Sequence, residues 1–315
     1  MSEHLLTEPD RLDVQVIGPL CIDINVDAAG RSTRGVGGAA LCAAAAAASL
    51  GRRVEVVTTM ADDDAHLRSR FPDAIERVVA VHSARTSSIR NVYTTADQER
   101  RHSSALAQAD PITAADVPKT PVAVQHLAGL VVGDYAPGLL TELAARADLA
   151  VDMQGFLRRR DPETGALTLS RPPQDEGFYR RIRFLKVDTA EGEHLTGLTD
   201  RRAIARALHE RGAQEVMVSN AREILVLDRD GAHVCPLRPR NLTGRTGRGD
   251  TVFSAYITER RRHDVDRALL TACAAVSLKM ETPGPLVCTR SDVEAYRDRF
   301  YPDLAPAPEG EAHER

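Results

Sequence analysis

The stretch Thr243-Gly-Arg-Thr-Gly-Arg-Gly-Asp-Thr251 decides how this chain is read. Its three glycines lead into a helical pattern carried by Val252, Phe253, Ala255, Tyr256 and Ile257. Glycines ahead of a helix start let backbone N–H groups converge on an anion, and the helix dipole adds to the attraction. Asp250 falls in the first turn, so a carboxylate able to act as a general base stands beside that anion site. An anion nest next to a carboxylate is the equipment needed to move a phosphoryl group onto a hydroxyl. A plain Gly-rich loop in which Asp250 caps the helix would use the same residues. The motif alone leaves both readings open.

The flanking sequence supplies a frame for it. Val14-Gln-Val-Ile-Gly18 is β-rich and ends in glycine, as a buried first strand does. Residues 38–51 read as a helix that begins after Gly37-Gly38 and ends at Gly51. It carries almost no large side chains, so something must pack close to its backbone. A strand at 53–59 and a helix at 62–71 follow. Residues 76–103 alternate β-formers without a helical period and predict an antiparallel excursion from the main sheet. Further strands are predicted at 129–133, 148–152, 183–187, 215–219 and 223–228. Helices are predicted at 137–147, 174–181, 189–196, 200–212, 250–262, 264–281 and 290–298. Strands alternating with helices give an α/β fold whose parallel sheet is covered on both faces. Ligands in such folds sit at the carboxyl ends of the strands. The segment 303–315 is rich in Pro, Ala and Glu and is predicted to be disordered.

Composition narrows the functional classes. With 315 residues, 43% of them apolar, the chain can bury a sizeable core. A net charge of −4 argues against a nucleic-acid or membrane surface, and aromatics at 4% with no Trp argue against base-stacking platforms. The five cysteines form no C-x-x-C pair, so neither a zinc site nor a disulfide framework is indicated. No basic-then-apolar leader and no long apolar run is present, which predicts a cytoplasmic protein.

Four segments in order carry a family resemblance. They are Gly18-Pro-Leu-Cys-Ile-Asp23, Gly37-Gly-Ala-Ala-Leu-Cys-Ala43 running on to Leu50-Gly51, Leu185-Lys-Val-Asp188-Thr-Ala-Glu191, and the Gly244–Thr251 run. Over roughly residues 14–300 the chain resembles the ribokinase-like, or PfkB-type, carbohydrate kinases. The resemblance implies a three-layer sandwich with a central, mostly parallel sheet and a small β lid. It implies one kinase domain over 12–302, with lid strands from about 20–35 and 76–103, and a homodimer formed through the lid. The reaction implied is transfer of the γ-phosphate of ATP to a hydroxyl of a small sugar or related polyol, with Mg²⁺.

Roles follow residue by residue from the resemblance. Asp250 becomes the catalytic base, and the amides of Gly247, Arg248 and Gly249 the anion hole. Asp23, Gly37, Gly38 and Cys42 become substrate-binding. Asn91 and Tyr93 join them from the lid, and Asp152, with Gln154 or Arg158, from the strand end that follows. Ser219, Asn220, Thr246, Gly247 and Ala275 are expected at the nucleotide. Glu191 and Asp188 are expected to place Mg²⁺ through water, although Asp188 could equally cap the helix that Glu191 opens.

The chain departs from the family at several of these positions. Gly244 replaces an Asp linked to a monovalent-cation site, which puts potassium activation in doubt. Arg248 replaces a small residue in the anion hole and could add positive charge there. Cys42 replaces the usual sugar-binding Asn, which points away from ribose and toward another sugar, a cyclitol such as inositol, or a nucleoside. Ala221 replaces a nucleotide-side Gly. These departures keep open a non-catalytic ligand-binding protein of the same fold. A dinucleotide-binding oxidoreductase is excluded because no G-x-G-x-x-G follows the first strand.

Overall fold

A computed structural model describes residues 11–95, 101–171 and 177–304. The chain opens with β1 (Leu12–Ile17), β2 (Cys21–Val26), β3 (Ser32–Gly37), α1 (Ala39–Ser49) and β4 (Val54–Met60). Then come β5 (Arg77–His82), β6 (Ser87–Tyr93), β7 (Arg101–Ala107), β8 (Val122–Leu127), α2 (Leu139–Ala144) and β9 (Asp148–Asp152). A short α3 (Gln154–Leu157) and the hairpin β10 (Arg158–Arg160) and β11 (Leu167–Leu169) follow. The C-terminal half holds β12 (Phe184–Asp188), α4 (Thr189–Thr196), α5 (Arg201–Glu210), β13 (Glu215–Ser219), β14 (Glu223–Leu227) and β15 (Ala232–Pro236). Three helices close the chain, α6 (Arg248–Arg260), α7 (Val265–Lys279) and α8 (Arg290–Phe300).

Among the described residues, nine strands form the main sheet in the order β15-β14-β13-β12-β9-β8-β1-β4-β5. It is parallel from β13 to β5, and β14 and β15 extend it antiparallel at one edge. Alternation along the strands divides the core into two layers. Ala150, Phe184 and Met217 face the layer built with α1, α6 and α7. Leu149, Val151, Leu185, Val187, Val216 and Val218 face the layer built with α2, α4 and α5. Period-2 burial on both faces is what a doubly covered sheet demands. A second sheet, ordered β3-β2-β6-β7, stands apart.

Helix starts are chemically marked. Asp188 and Glu191 form a reciprocal capping box on α4, Asp200 and Asp264 cap α5 and α7, and Thr289 caps α8. The alanine-rich α1 has its close neighbour in α6, whose Ser254 Oγ donates to the Ala43 carbonyl at 2.7 Å. Side chains larger than Ala on that face would hold the two helices apart.

Several expectations are corrected. The strand expected at 129–133 is instead Val122–Leu127, and residues 128–133 form a loop, buried at 128–131, whose Leu130 and Val131 N–H groups donate to Asp134. Residues 77–82, assigned to the excursion, pair parallel with β4 and form the edge of the main sheet. Only β6 and β7 of that segment join the second sheet. Residues 62–70 form a 3₁₀ helix, and in the stretch 174–181 only a short 3₁₀ turn at Tyr179–Arg181 lies within the described residues. The tail from 305 onward lies outside them. No helix among the described residues is long and apolar enough to cross a membrane.

Candidate active site

Glycine sets the geometry of the turn before α6. Gly247 has φ +81° and opens the helix, and no side chain caps it. The Arg248 N–H donates to the Arg245 carbonyl at 3.3 Å, and N–H groups at a helix start suit an anion. A Cβ at Gly247 would lie 2.5 Å from Cys42 Sγ, so α1 meets the turn at van der Waals distance. At Gly249 a Cβ would lie 2.9 Å from Lys186 Nζ. Close approach fixes both glycines, and Gly247 is fixed by conformation as well.

A cavity of about 560 Å³ opens between this turn and the second sheet. Gly247, Thr246 and Asp250 line one side, and Asp23, Gly37, Gly38, Cys42, Asn91 and Tyr93 line the other. Gln154 and Arg158 contribute from the β9 side, and Arg31, Arg34, Arg101, Arg245 and Lys279 bring positive charge. The Asp23 carboxylate lies against Gly37, where a Cβ would meet Oδ2 at 2.1 Å. That glycine makes room for the acid. Burial pushes Asp23 above the usual carboxylate range, against the Cys21 thiol, which donates to it at 3.2 Å, and Arg101. Tyr93 ties the second sheet to the anion turn, its hydroxyl 3.1 Å from Thr246 Oγ1. Asn91 is held inside its own sheet, donating to Asn25 at 3.1 Å and accepting from Ser103 at 2.7 Å.

Asp250 keeps part of its surface open to the cavity, yet protein surrounds it on the other sides. Burial, followed by the charge of Asp152, pushes its pKa up to about 6, against the pull of Lys186 and Arg158. A carboxylate of that basicity is suited to accept a hydroxyl proton near neutral pH. Lys186 and Asp152 are register neighbours on β12 and β9 and form a buried ion pair at 2.9 Å. Burial also pushes Glu191 up to about 7, while Lys186 pulls it down. Arg248 is desolvated, and Arg245 and Arg101 are close enough to lower its pKa further. Asp188 opposes that lowering, and Arg101 and Arg245 themselves line the cavity beside the anion turn.

The structure gathers most of the sequence-derived site and disperses a few members. Arg248 and Gly249 stand behind the cavity wall, with Gly249 against Lys186. Asp152 does not line the cavity, because its carboxylate is used by Lys186 and by the N–H of Gln154. Ser219 and Asn220 do not line it either. Ser219 is turned toward the Val187 carbonyl, and the Asn220 side chain closes its own turn onto the N–H groups of Arg222 and Glu223. Ala275 is fully buried within α7. Lys186, Arg101 and Lys279 were missed. The visible signal for Lys279 is a lone charge in the otherwise uncharged stretch Ala268–Met280.

The magnesium expectation meets a consistent donor set. Glu191 Oε2 accepts the Asp188 N–H, and Oε1 is buried without a hydrogen-bond partner. Among the described residues no group of three or more His, Cys, Asp or Glu could cage a metal. Arg158 lies 3.9 Å from that oxygen, and a carboxylate oxygen free of hydrogen bonds suits Mg²⁺ held through its waters, the mode that ion favours.

The family model described as pfkB family carbohydrate kinase matches residues 12–292. The chain belongs to that family. It is a carbohydrate kinase of the ribokinase family. It is similar to a pyrophosphate-dependent kinase of the ribokinase family solved as a sulfate complex, with TM-score 0.82 and 31% identity over 90% of this chain and 99% of that chain. A pyrophosphate-dependent kinase of the family complexed with a pyrophosphate analog and myo-inositol gives TM-score 0.81 and 31% identity with the same coverage. Arabidopsis thaliana ribokinase, complexed with ribose and ATP, gives 0.70 at 16% identity over 91% and 99%, a likeness of fold. No protein of curated function matches the chain by sequence.

Proposed function

We propose that this kinase passes a phosphoryl group from pyrophosphate to a hydroxyl of a cyclitol or related small polyol, with Asp250 as general base. The observation that carries the donor is the set of guanidinium groups, Arg31, Arg34, Arg101 and Arg245, that lines the cavity beside the Gly247 turn. Pyrophosphate has no base or sugar to hold, so its recognition must come from charge and bidentate hydrogen bonds, which guanidinium groups supply. ATP would need contacts to adenosine, and Ser219, Asn220 and Ala275, expected to provide them, are used elsewhere. The relatives at 31% identity, which are pyrophosphate-dependent, support the same donor.

The acceptor side follows from Asp23, whose carboxylate can accept hydrogen bonds from two neighbouring hydroxyls. Cys42 adds an apolar wall, since burial and the charge of Asp250 push its pKa up to about 12 and keep it a thiol. A cyclitol offers vicinal hydroxyls and apolar ring faces, and a relative binds myo-inositol. In the transfer, Asp250 takes the hydroxyl proton as the acceptor oxygen bonds to phosphorus. The bridging P–O bond breaks and inorganic phosphate leaves with its electrons. Gly247 and the first turn of α6 stabilise the transferring group, and the guanidinium cluster stabilises the departing phosphate. Mg²⁺, held through water by Glu191 and Asp188, would neutralise charge on the donor. Closure of the cavity by the second sheet would keep water from taking the phosphoryl group.

The test is a matrix of donors against acceptors. Pyrophosphate and ATP are each offered with Mg²⁺ to inositols, pentoses, hexoses and nucleosides, and phosphorylated product is measured. Turnover of a cyclitol with pyrophosphate is expected. Turnover with ATP alone would overturn the donor assignment, and turnover of a nucleoside or ribose in preference to cyclitols would overturn the acceptor.

A further inference from the structure

Lys279, the last residue of α7, has no exposed surface. Burying an ammonium is costly unless it is well partnered. Its hydrogen-bond acceptors are not carboxylates. They are two main-chain carbonyls, those of Gly244, at 2.5 Å, and Thr246. Both belong to the loop that leads into Gly247. The Gly244 N–H in turn donates to the Met280 carbonyl at 2.8 Å, so the loop is fastened at two successive residues of the α7 end. Gly244 itself lies flush against the chain, where a Cβ would fall 1.7 Å from the Thr282 carbonyl oxygen. No acidic side chain could be placed there to recruit a cation. Carbonyl oxygens converging on one positive charge are the ligand set that monovalent cations take from a protein backbone.

We infer that Lys279 is a positioning residue whose ammonium serves as a built-in cation, holding the Gly244–Thr246 carbonyls and thereby the anion-binding turn, so that the enzyme needs no monovalent metal ion. The effect on the reaction rests on the proposed reading of Gly247–Asp250 as the phosphoryl site. Burial holds the Lys279 pKa below the usual lysine range, with Cys42 and Asp250 pulling it back up and Arg248 adding to the lowering. An ammonium tethered to a helix cannot be diluted away, so the turn keeps its shape in any salt.

The experiment compares potassium, ammonium and tetramethylammonium salts at equal ionic strength. Turnover is followed with whichever donor and acceptor the matrix identifies, and amide hydrogen exchange is followed over residues 244–249. The wild type is expected to be indifferent to the cation in both measurements. Activation by potassium of about tenfold or more, at a level that measurably changes transition-state stabilisation, would overturn the inference without any variant. Lys279→Ala opens space for an ion. It is expected to lose about 100-fold in kcat in tetramethylammonium, to exchange faster over 244–249, and to recover both in ammonium or potassium. Lys279→Met fills the space with an apolar chain and is expected to fold but not to be rescued. A folded Lys279→Ala variant that stays active, or that no small cation rescues, sinks the role. Exchange needs no substrate. If no donor turns over, the proposed function fails while the lysine is still judged by cation-dependent protection of the turn.

Discussion

The two ends of α6 each hold a carboxylate, and the two are driven in opposite directions. Asp250, in the first turn, is pushed up to about 6 by burial and by Asp152. Glu259, in the last turn, has no exposed surface, and burial alone would raise it. Hydrogen bonds from Arg290 and Arg52 hold it below the usual range instead. Arg52 Nε donates to it at 3.1 Å, and Arg290 donates at 2.9 and 3.1 Å. The helix dipole predicts the reverse, stabilising an anion at the N-terminus and opposing one at the C-terminus by about 0.3–1 kcal/mol. One pKa unit corresponds to about 1.4 kcal/mol, so the rise at Asp250 outweighs the dipole. What a carboxylate does along this helix is decided by its immediate partners. Glu259 is paired and fastens α6 to Arg52 and to α8. Asp250 is kept short of partners and stays basic.

Replacement of each acid should separate chemistry from stability. Asp250→Asn is expected to lower kcat by about 10²–10⁴. Its folded state binds a proton more tightly than the unfolded chain does, so Asp250 favours folding at low pH and loses that contribution as pH rises from 3.8 toward about 6. The Asn variant should therefore melt no lower than wild type at neutral pH. Turnover within tenfold of wild type would remove Asp250 from the base role. Glu259→Gln is expected to lose about 3–5 kcal/mol of stability, because the buried Arg52 and the half-buried Arg290 guanidinium groups lose their anion, while kcat per folded molecule stays unchanged. Denaturant melts and active-site titration read the two quantities. Glu259 has a depressed pKa, so its contribution is present at neutral pH and disappears as the solution is acidified through that pKa.

The pH profile sharpens the contrast further. The rate should fall as pH drops below about 6, where Asp250 takes up its proton. Asp152→Asn removes the negative charge that raises Asp250 and leaves Lys186, which lowers it. The acid limb should then move to lower pH. An unmoved limb would mean that Asp250 does not set it.

Local pattern revealed the frame of this molecule more readily than it revealed the site. The glycines before α6 and the alanines of α1 were legible because each has a direct steric meaning, and the structure answers both with helix contacts. Strand β8 was misplaced because its pattern, Val122-Ala-Val-Gln-His-Leu127, carries Gln125 and His126, both buried. The more apolar Leu130–Val132 drew the assignment, although Asp134 holds it as a loop. Strand β5 looked like part of the excursion because edge strands carry exposed polar residues. Of the nucleotide-side residues expected, Thr246 reaches the cavity. Ser219 and Asn220 do not, since side-chain direction at a strand end depends on turns that composition does not encode. Lys279 escaped notice because its partners are main-chain carbonyls, which no sequence motif records.

The cavity is walled by two separate sheets, with Asp23 on one and Asp250 beside the other, joined across it by Tyr93 and Thr246. On the proposed reading, grip on the acceptor and removal of its proton are thus inherited as separate parts. Substitutions accumulating on the second sheet can drift from one polyol to another without disturbing the phosphoryl chemistry.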